Sequence, residues 1–172
     1  MKFLELAKAR YSTRKYKPQA VEKDKLAMIL EAGRVAPTAA NFQPQRVLVL
    51  QEKEGLEKIG KMADVFGAPL VLLVCGDKNV AWERPEDHKS FADIDASVVT
   101  THMMMQAAAF GLGSVWIGIF DPAVIKQAFA FPSGLEPVSI LAIGYADEEA
   151  ASPERHTETR KQLDETVFYE TF

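Results

Sequence analysis

At 172 residues, with 48% hydrophobic and 26% charged side chains, the chain has an ordinary globular composition and can bury one sizeable core, so a single domain over 1–172 is expected. Its net charge of -4, with lysines and arginines dispersed among carboxylates, leaves no basic stripe for nucleic acid and no polybasic arm for an anionic membrane. One cysteine, Cys75, excludes an intramolecular disulfide framework, and Met1 to Leu6 lacks the apolar core of a signal peptide, so a reducing, cytoplasmic location is expected.

Phe3, Leu4, Leu6 and Ala7 have helical spacing, which predicts a short helix near Lys2 to Ala9. It delivers the chain to Arg10-Tyr11-Ser12-Thr13-Arg14, where two guanidinium groups flank a central hydroxyl. Planar donor forks with a serine between them suit an oxyanion such as a phosphate. The alternative for these five residues alone is a solvated basic turn. Leu26, Ile29, Leu30 and Gly33 line a second helix that begins near Glu22 to Lys25 and ends before Pro37. Ala36 to Pro44 is an uncharged loop of small residues bounded by prolines, in which Asn41 and Gln43 carry amides that both donate and accept. Such a loop suits the edge of a heteroaromatic ring, and equally a plain helix-to-strand connection.

Arg46 to Leu50 reads as a strand and Lys53 to Met62 as a helix. The apolar run Pro69 to Cys75 predicts a strand covered on both faces, with Cys75 as a core residue. Asp77 to Ser90 is polar and irregular. From Ala96 to Phe120 there is no charged residue, a length that raises the question of a membrane span. Thr100, Thr101, His102 and Gln106 interrupt it and Gly111-Leu112-Gly113 breaks it, so the reading is a helix from about Phe91 to Phe110, buried on most faces, then a strand. Asp93 and Asp95 at the helix start are expected to cap it and offset its dipole. Ser114 to Gly118 is a strand whose last glycine either bares its backbone to a ligand or begins the turn into Asp121-Pro122, a helix N-cap and N1 pair. Val138 to Tyr145 is the last strand, followed by the basic group Arg155, His156, Arg160 and Lys161 and an amphipathic tail, Leu163 to Phe172.

Other chemistries find little support. Neither a Gly-x-Gly-x-x-Gly turn, a Walker loop nor a Gly-x-Ser-x-Gly elbow occurs, and the three histidines and Cys75 lack metal-ligand spacing. Phosphate donors at one end and amides at the other, without an acid, base or metal set, leave the chemistry to a cofactor.

Arg10-x-Ser12-x-Arg14-x-Tyr16, Pro37 to Pro44, Gly111-Leu112-Gly113-Ser114-x-Trp116-Ile117-Gly118, Ile143-Gly144-Tyr145 and Arg160-Lys161-x-Leu163 occur in that order along the chain. Together they resemble the flavin (FMN)-dependent nitroreductase family over essentially its whole length. Gln45 departs from the tryptophan that often follows the family's Gln-Pro pair. The resemblance implies a nitroreductase-like α+β fold, a central mostly antiparallel sheet flanked by helices, and an intertwined homodimer with FMN at the subunit interface. It further implies that Arg10, Tyr11, Ser12, Arg14 and Arg160 bind the phosphate and ribityl end. Pro37, Thr38, Ala39, Asn41 and Gln43 would form the loop that the other subunit lays along the flavin ring. Ile117 and Gly118 would be the backbone beside the ring, and the Phe168 to Phe172 tail would wrap onto the partner. The implied activity is reduction of a small electrophilic acceptor, a nitroaromatic or quinone, by NADH or NADPH in a two-electron ping-pong cycle with no catalytic side chain. The alternatives are a non-catalytic flavin-binding module and an oxygen-dependent flavoprotein of the same fold.

Overall fold

The computed structural model describes residues 2–172, and its organising element is the apolar run, which forms strand β2 (Leu70–Asp77). Leu70 to Cys75 are all buried, and alternation along the strand sends them to two cores. Leu70, Leu72 and Val74 pack with Leu26 and Ile29 of α2 (Lys23–Arg34) and with Ala96, Val99 and Met103 of α4 (Ala92–Ala109). Val71, Leu73 and Cys75 pack with Ile59 of α3 (Lys53–Gly60) and Ile125 of α5 (Pro122–Ala128). A four-stranded antiparallel sheet thus lies between two helical layers, an α+β arrangement. Its other strands are β1 (Gln45–Leu50), β3 (Gly113–Ile117) and β4 (Leu135–Gly144), in the spatial order β1-β2-β4-β3, so β1 and β3 are the edges. The short α1 (Phe3–Ala9) precedes this arrangement, and α6 (His156–Thr159) follows it.

The predicted elements fall where the pattern put them, with instructive differences. β4 begins at Leu135 rather than Val138, because the strand is bulged at Val138, with Ser139 facing Val74 and Pro137 facing Cys75, and an imino nitrogen is tolerated beside a bulge. Asp121 accepts from Ala123 N at 2.8 Å and Val124 N at 3.3 Å, the expected cap of α5. The Asp77 to Ser90 segment is not wholly irregular. Glu83 and Ser90 form a bridge, and Trp82 stands edge-on to Phe91 with ring centroids 4.7 Å apart.

α4 is buried along one stripe, Ala92, Asp95, Ala96, Val99, Thr100, Met103 and Ala107, rather than on most faces. Thr100 Oγ1 hydrogen-bonds Ser139 Oγ at 2.9 Å and ties the helix to β4. Its other side contributes His102 and Met105 to a groove shared with Phe3, Leu6, Met28 and Val35. Among the described residues no helix is long and apolar enough to cross a membrane. The close seat of α4 on the sheet depends on Gly76, where an added Cβ would fall 2.7 Å from Ala92 O. The amphipathic tail contains only a 3-10 turn, Leu163–Glu165, and leaves Phe168, Tyr169 and Phe172 exposed.

Two buried acids give the fold a dependence on alkaline pH. Burial pushes the Cys75 thiol from its ordinary 9.0 up to about 12. Burial first, and then the charge of Glu148, also raises the Tyr16 phenol, which donates to Thr13 O at 2.9 Å. The folded chain therefore keeps protons that the unfolded chain gives up above about pH 9, and stability falls as pH rises from there. Below that pH both states hold these protons and the two groups contribute no slope. Urea midpoints measured between pH 8 and pH 11 are expected to decline, and Cys75→Ala is expected to flatten part of that decline.

Candidate functional site

After α1 the chain turns extended at Arg10 and runs along the free edge of β3. Ser12 bridges Ser114 in parallel, and Thr13 N donates to Ser114 O at 3.0 Å. Alternation in an extended segment buries Thr13 and turns Ser12 and Arg14 to the other side, while Tyr11 is half-buried. Gly113 permits this seat, because a Cβ there would fall 2.5 Å from Thr13 Oγ1. The buried hydroxyl oxygens of Thr13 and Ser114 have no partner.

The C-terminal basic group reaches the same segment. Arg155 donates to Lys8 O at 3.1 Å, Ser152 O at 2.8 Å and Arg10 O at 2.6 Å, holding the end of α1 to the residues before α6. The Arg10 guanidinium is held below its ordinary pKa by burial first, then by the charges of Arg155 and Arg160. Among the described residues, the guanidinium groups of Arg10, Arg14, Arg155 and Arg160 have no carboxylate oxygen within 4.0 Å, while the Arg14 backbone N donates to Glu148 Oε1 at 2.9 Å. Cations gathered without counter-charge repel one another, and an anion between them relieves that repulsion.

Arg14 lies over the Phe66 ring, 5.9 Å from its centroid, and donates to Ser12 O at 3.3 Å. With Phe66, Trp116, Ile117, Gly118 and Ile119 it lines a pocket of about 400 Å³. A Cβ built on Gly118 would meet nothing within 4 Å, so the backbone there is open to a ligand.

The second set of expected residues lies elsewhere. Pro37 and Thr38 lead into a 3-10 turn, Ala39–Asn41, in which Ala40 (φ 47°) and Asn41 (φ 58°) are left-handed, as is Gln43 (φ 53°). Left-handed residues other than glycine cost about 1–2 kcal/mol each, less for asparagine, so this loop must be held. Thr38 Oγ1 accepts from Gln43 N at 3.1 Å, and Gln43 Nε2 donates to Asn41 O at 3.2 Å. The expected capping role of Asp95 is corrected here. Its Oδ1 accepts from Ala39 N at 2.9 Å, outside its own helix, and the N-cap residue Phe91 makes no side-chain cap. The reason is position: Asp95 lies on the buried stripe of α4, facing the loop.

This loop enters β1, whereas Arg10 to Arg14 and Gly118 border β3. Those strands are opposite edges of the sheet, three strand spacings or roughly 14 Å apart. Within one chain the Arg14–Gly118 pocket therefore includes no residue of 37–43.

The model of the nitroreductase family matches residues 7–64 and 60–145, a span that contains both the arginine segment and the loop. The chain belongs to the nitroreductase family. A nitroreductase family protein from Clostridium difficile 630 has a crystal structure that superposes with TM-score 0.98, at 52% identity and full coverage of both chains. The FMN-dependent nitroreductase of C. difficile R20291 superposes with TM-score 0.79 at 27% identity, covering 97% of this chain and 98% of that one. An FMN reductase [NAD(P)H] of Bacillus subtilis is 31% identical over 180 residues, 90% of this chain and 72% of its own length.

Two residues that hold the candidate site segments escape a reading by motif. Arg155 stood out in the sequence only as part of a basic group, since nothing local reveals that its targets are Lys8 and Arg10. Asp95 carried a usable signal: it shares helical spacing with Ala92, Ala96 and Val99, which marks the buried face. Arg155→Ala is expected to lower unfolding stability by about 1.5–3 kcal/mol, the worth of a hydrogen bond to a charged group. Arg155→Lys is expected to recover only part of it, because an ammonium lacks the planar fork that serves several carbonyls at once. Urea unfolding of the three proteins measures both effects.

Proposed function

We propose that this nitroreductase-family chain is an FMN-dependent NAD(P)H oxidoreductase that reduces small electrophiles such as nitroaromatics or quinones in a two-electron ping-pong cycle. The observation that carries the reading is the half-buried Arg10 with Arg155 and Arg160 beside it and, among the described residues, no carboxylate oxygen within 4.0 Å of their guanidinium groups. That donor set fits a phosphate dianion. Relatives named FMN reductase [NAD(P)H] and FMN-dependent nitroreductase supply the cofactor and the reductant in the proposal.

Arg10, Tyr11, Ser12, Arg14 and Arg160 would hold the phosphate and ribityl end. Ile117 and Gly118 would offer open backbone along the ring. When bound there, FMN would supply the two-electron chemistry, accepting a hydride from a reduced nicotinamide and giving it up to the acceptor. The chain's part is to bind, orient and polarise. Arg14 places a positive charge in the Gly118 pocket, where it favours an electron-rich occupant. The carboxylate of that pocket, Asp64, accepts from Phe66 N at 2.9 Å and shapes the turn rather than serving as a base. Solvent then supplies protons, and no catalytic side chain is assigned.

Pro37, Thr38, Ala39, Asn41 and Gln43 complete the site in this proposal only from a second copy. The separation of the two sheet edges supports a homodimer, as do the apolar groove beside α4 and the exposed tail.

Anaerobic mixing of the FMN-loaded protein with NADH or NADPH tests the reaction. Bleaching of the flavin absorbance is expected, followed by reoxidation on adding a quinone and parallel double-reciprocal plots. Failure of both nicotinamides to bleach bound FMN would defeat the proposal. Removal of Phe168 to Phe172 is expected to weaken both self-association and FMN retention. Sedimentation of the full-length protein as a flavin-bound monomer at micromolar concentration would defeat the shared site.

A further inference from the structure

We infer that Asp95 is a positioning residue for the flavin site, acting through the Thr38–Gln43 loop; the inference rests on the proposed role of that loop along a partner's flavin ring. Most of the loop's own hydrogen bonds are local. Asn41 N donates to Thr38 O at 3.0 Å, Phe42 N to Ala39 O at 3.1 Å and Gln43 N to Thr38 Oγ1 at 3.1 Å. These fix the shape of the loop but not its place on the molecule. Arg46 adds a bond to Gln43 O at 3.2 Å from the adjoining strand, still only three residues away.

The anchor of long range is Asp95, whose Oδ1 accepts from Ala39 N across 56 residues of sequence. The helix that carries it is itself fixed, by packing against β2 and β4 and by the Thr100–Ser139 hydrogen bond. A loop with three left-handed residues is thereby tied at its first turn to a helix fixed on the sheet.

Stability alone does not account for this carboxylate. Asp95 is 3% exposed, and its Oδ2 is buried without a partner. Burying a carboxylate for one hydrogen bond is unfavourable. The dipole of α4 could be offset by Asp93, which is exposed in the same first turn. What Asp95 adds is an acceptor aimed at Ala39 N from inside the core, which settles where Asn41 and Gln43 are presented.

Full-length wild type, Asp95→Asn, Asp95→Ala and Thr38→Val, each titrated with FMN, test the inference. The readouts are the dissociation constant, the visible spectrum of bound flavin, and KM and kcat for the nicotinamide. Asp95→Ala is expected to bind FMN about ten-fold more weakly, with an altered flavin spectrum and a KM raised more than kcat is lowered. Asp95→Asn keeps an acceptor at Oδ1 and is expected to restore most of the affinity and the wild-type spectrum. Thr38→Val removes the acceptor for Gln43 N without touching the buried carboxylate, and is expected to reproduce the spectral and KM changes even if Asp95→Ala does not fold.

Wild-type affinity, spectrum and KM in Asp95→Ala would overturn the inference, as would an Asp95→Asn protein no better than Asp95→Ala. So would a Thr38→Val protein indistinguishable from wild type. Failure of the wild type itself to bind FMN is a separate result, and would defeat the reading of the site instead.

Discussion

Burial of β2 on both faces is the constraint from which the rest of the molecule follows. Leu70 to Cys75 leave no side of the strand available to water, so the chain must lay helices over both faces of the sheet. α2 and α4 cover one and α3 and α5 the other, with Gly76 letting α4 sit close. Once both faces are closed, polar function is left to the sheet edges and to the loops that enter and leave them. The arginine segment runs along β3, and the Pro37 to Gln43 loop leads into β1. The core thus sets the distance between the two groups of candidate site residues before any ligand is considered.

Charge is distributed by the same logic. Exposed ion pairs such as Lys15–Asp147 and Arg34–Glu31 are scattered over the surface, where each contributes little. The guanidinium groups of Arg10, Arg155 and Arg160 instead gather where no carboxylate answers them, and burial intensifies the repulsion. Arg155 satisfies its own donors on carbonyl oxygens of Lys8, Ser152 and Arg10, so it organises the cluster as well as charging it. At the other edge the charge has the opposite sign: the buried carboxylate of Asp95 serves a backbone amide in a strained loop. Each edge therefore carries a local cost that the folding of the chain does not explain by itself, and such costs collect where ligands are handled.

Much of the fold was legible in the pattern of residues. The apolar run of β2, the helix α4 that leads into the charge-free run from Ala96, and the Asp121-Pro122 start of α5 all arise from local preference and periodicity, and the structure reproduces them. The start of β4 was not legible, because Pro137 argues against a strand unless that strand is bulged beside it, as β4 is at Val138. The burial of α4 on most faces was expected from more than one partner surface, and this chain alone covers one stripe of it. A helix apolar all round states that several surfaces must cover it, without stating that one chain supplies them all. The site motifs were visible as residue types, and only the family resemblance, not their spacing, grouped them.

The sequence by itself determined the two-sided core, the order of helices and strands, and the presence of an arginine and serine set whose chemistry suits an oxyanion, because these depend on spacing and side-chain chemistry within short windows. Only the tertiary structure decided that Arg155 joins Arg10 across 145 residues and that Asp95 turns from its own helix to hold Ala39. It also decided that the arginine segment and the amide loop border opposite edges of the sheet. The physical reason is that such pairings are set by strand order and by which face of a helix is buried. Those are properties of the whole packed chain, and a guanidinium or a carboxylate has the same local sequence signature whatever lies across from it.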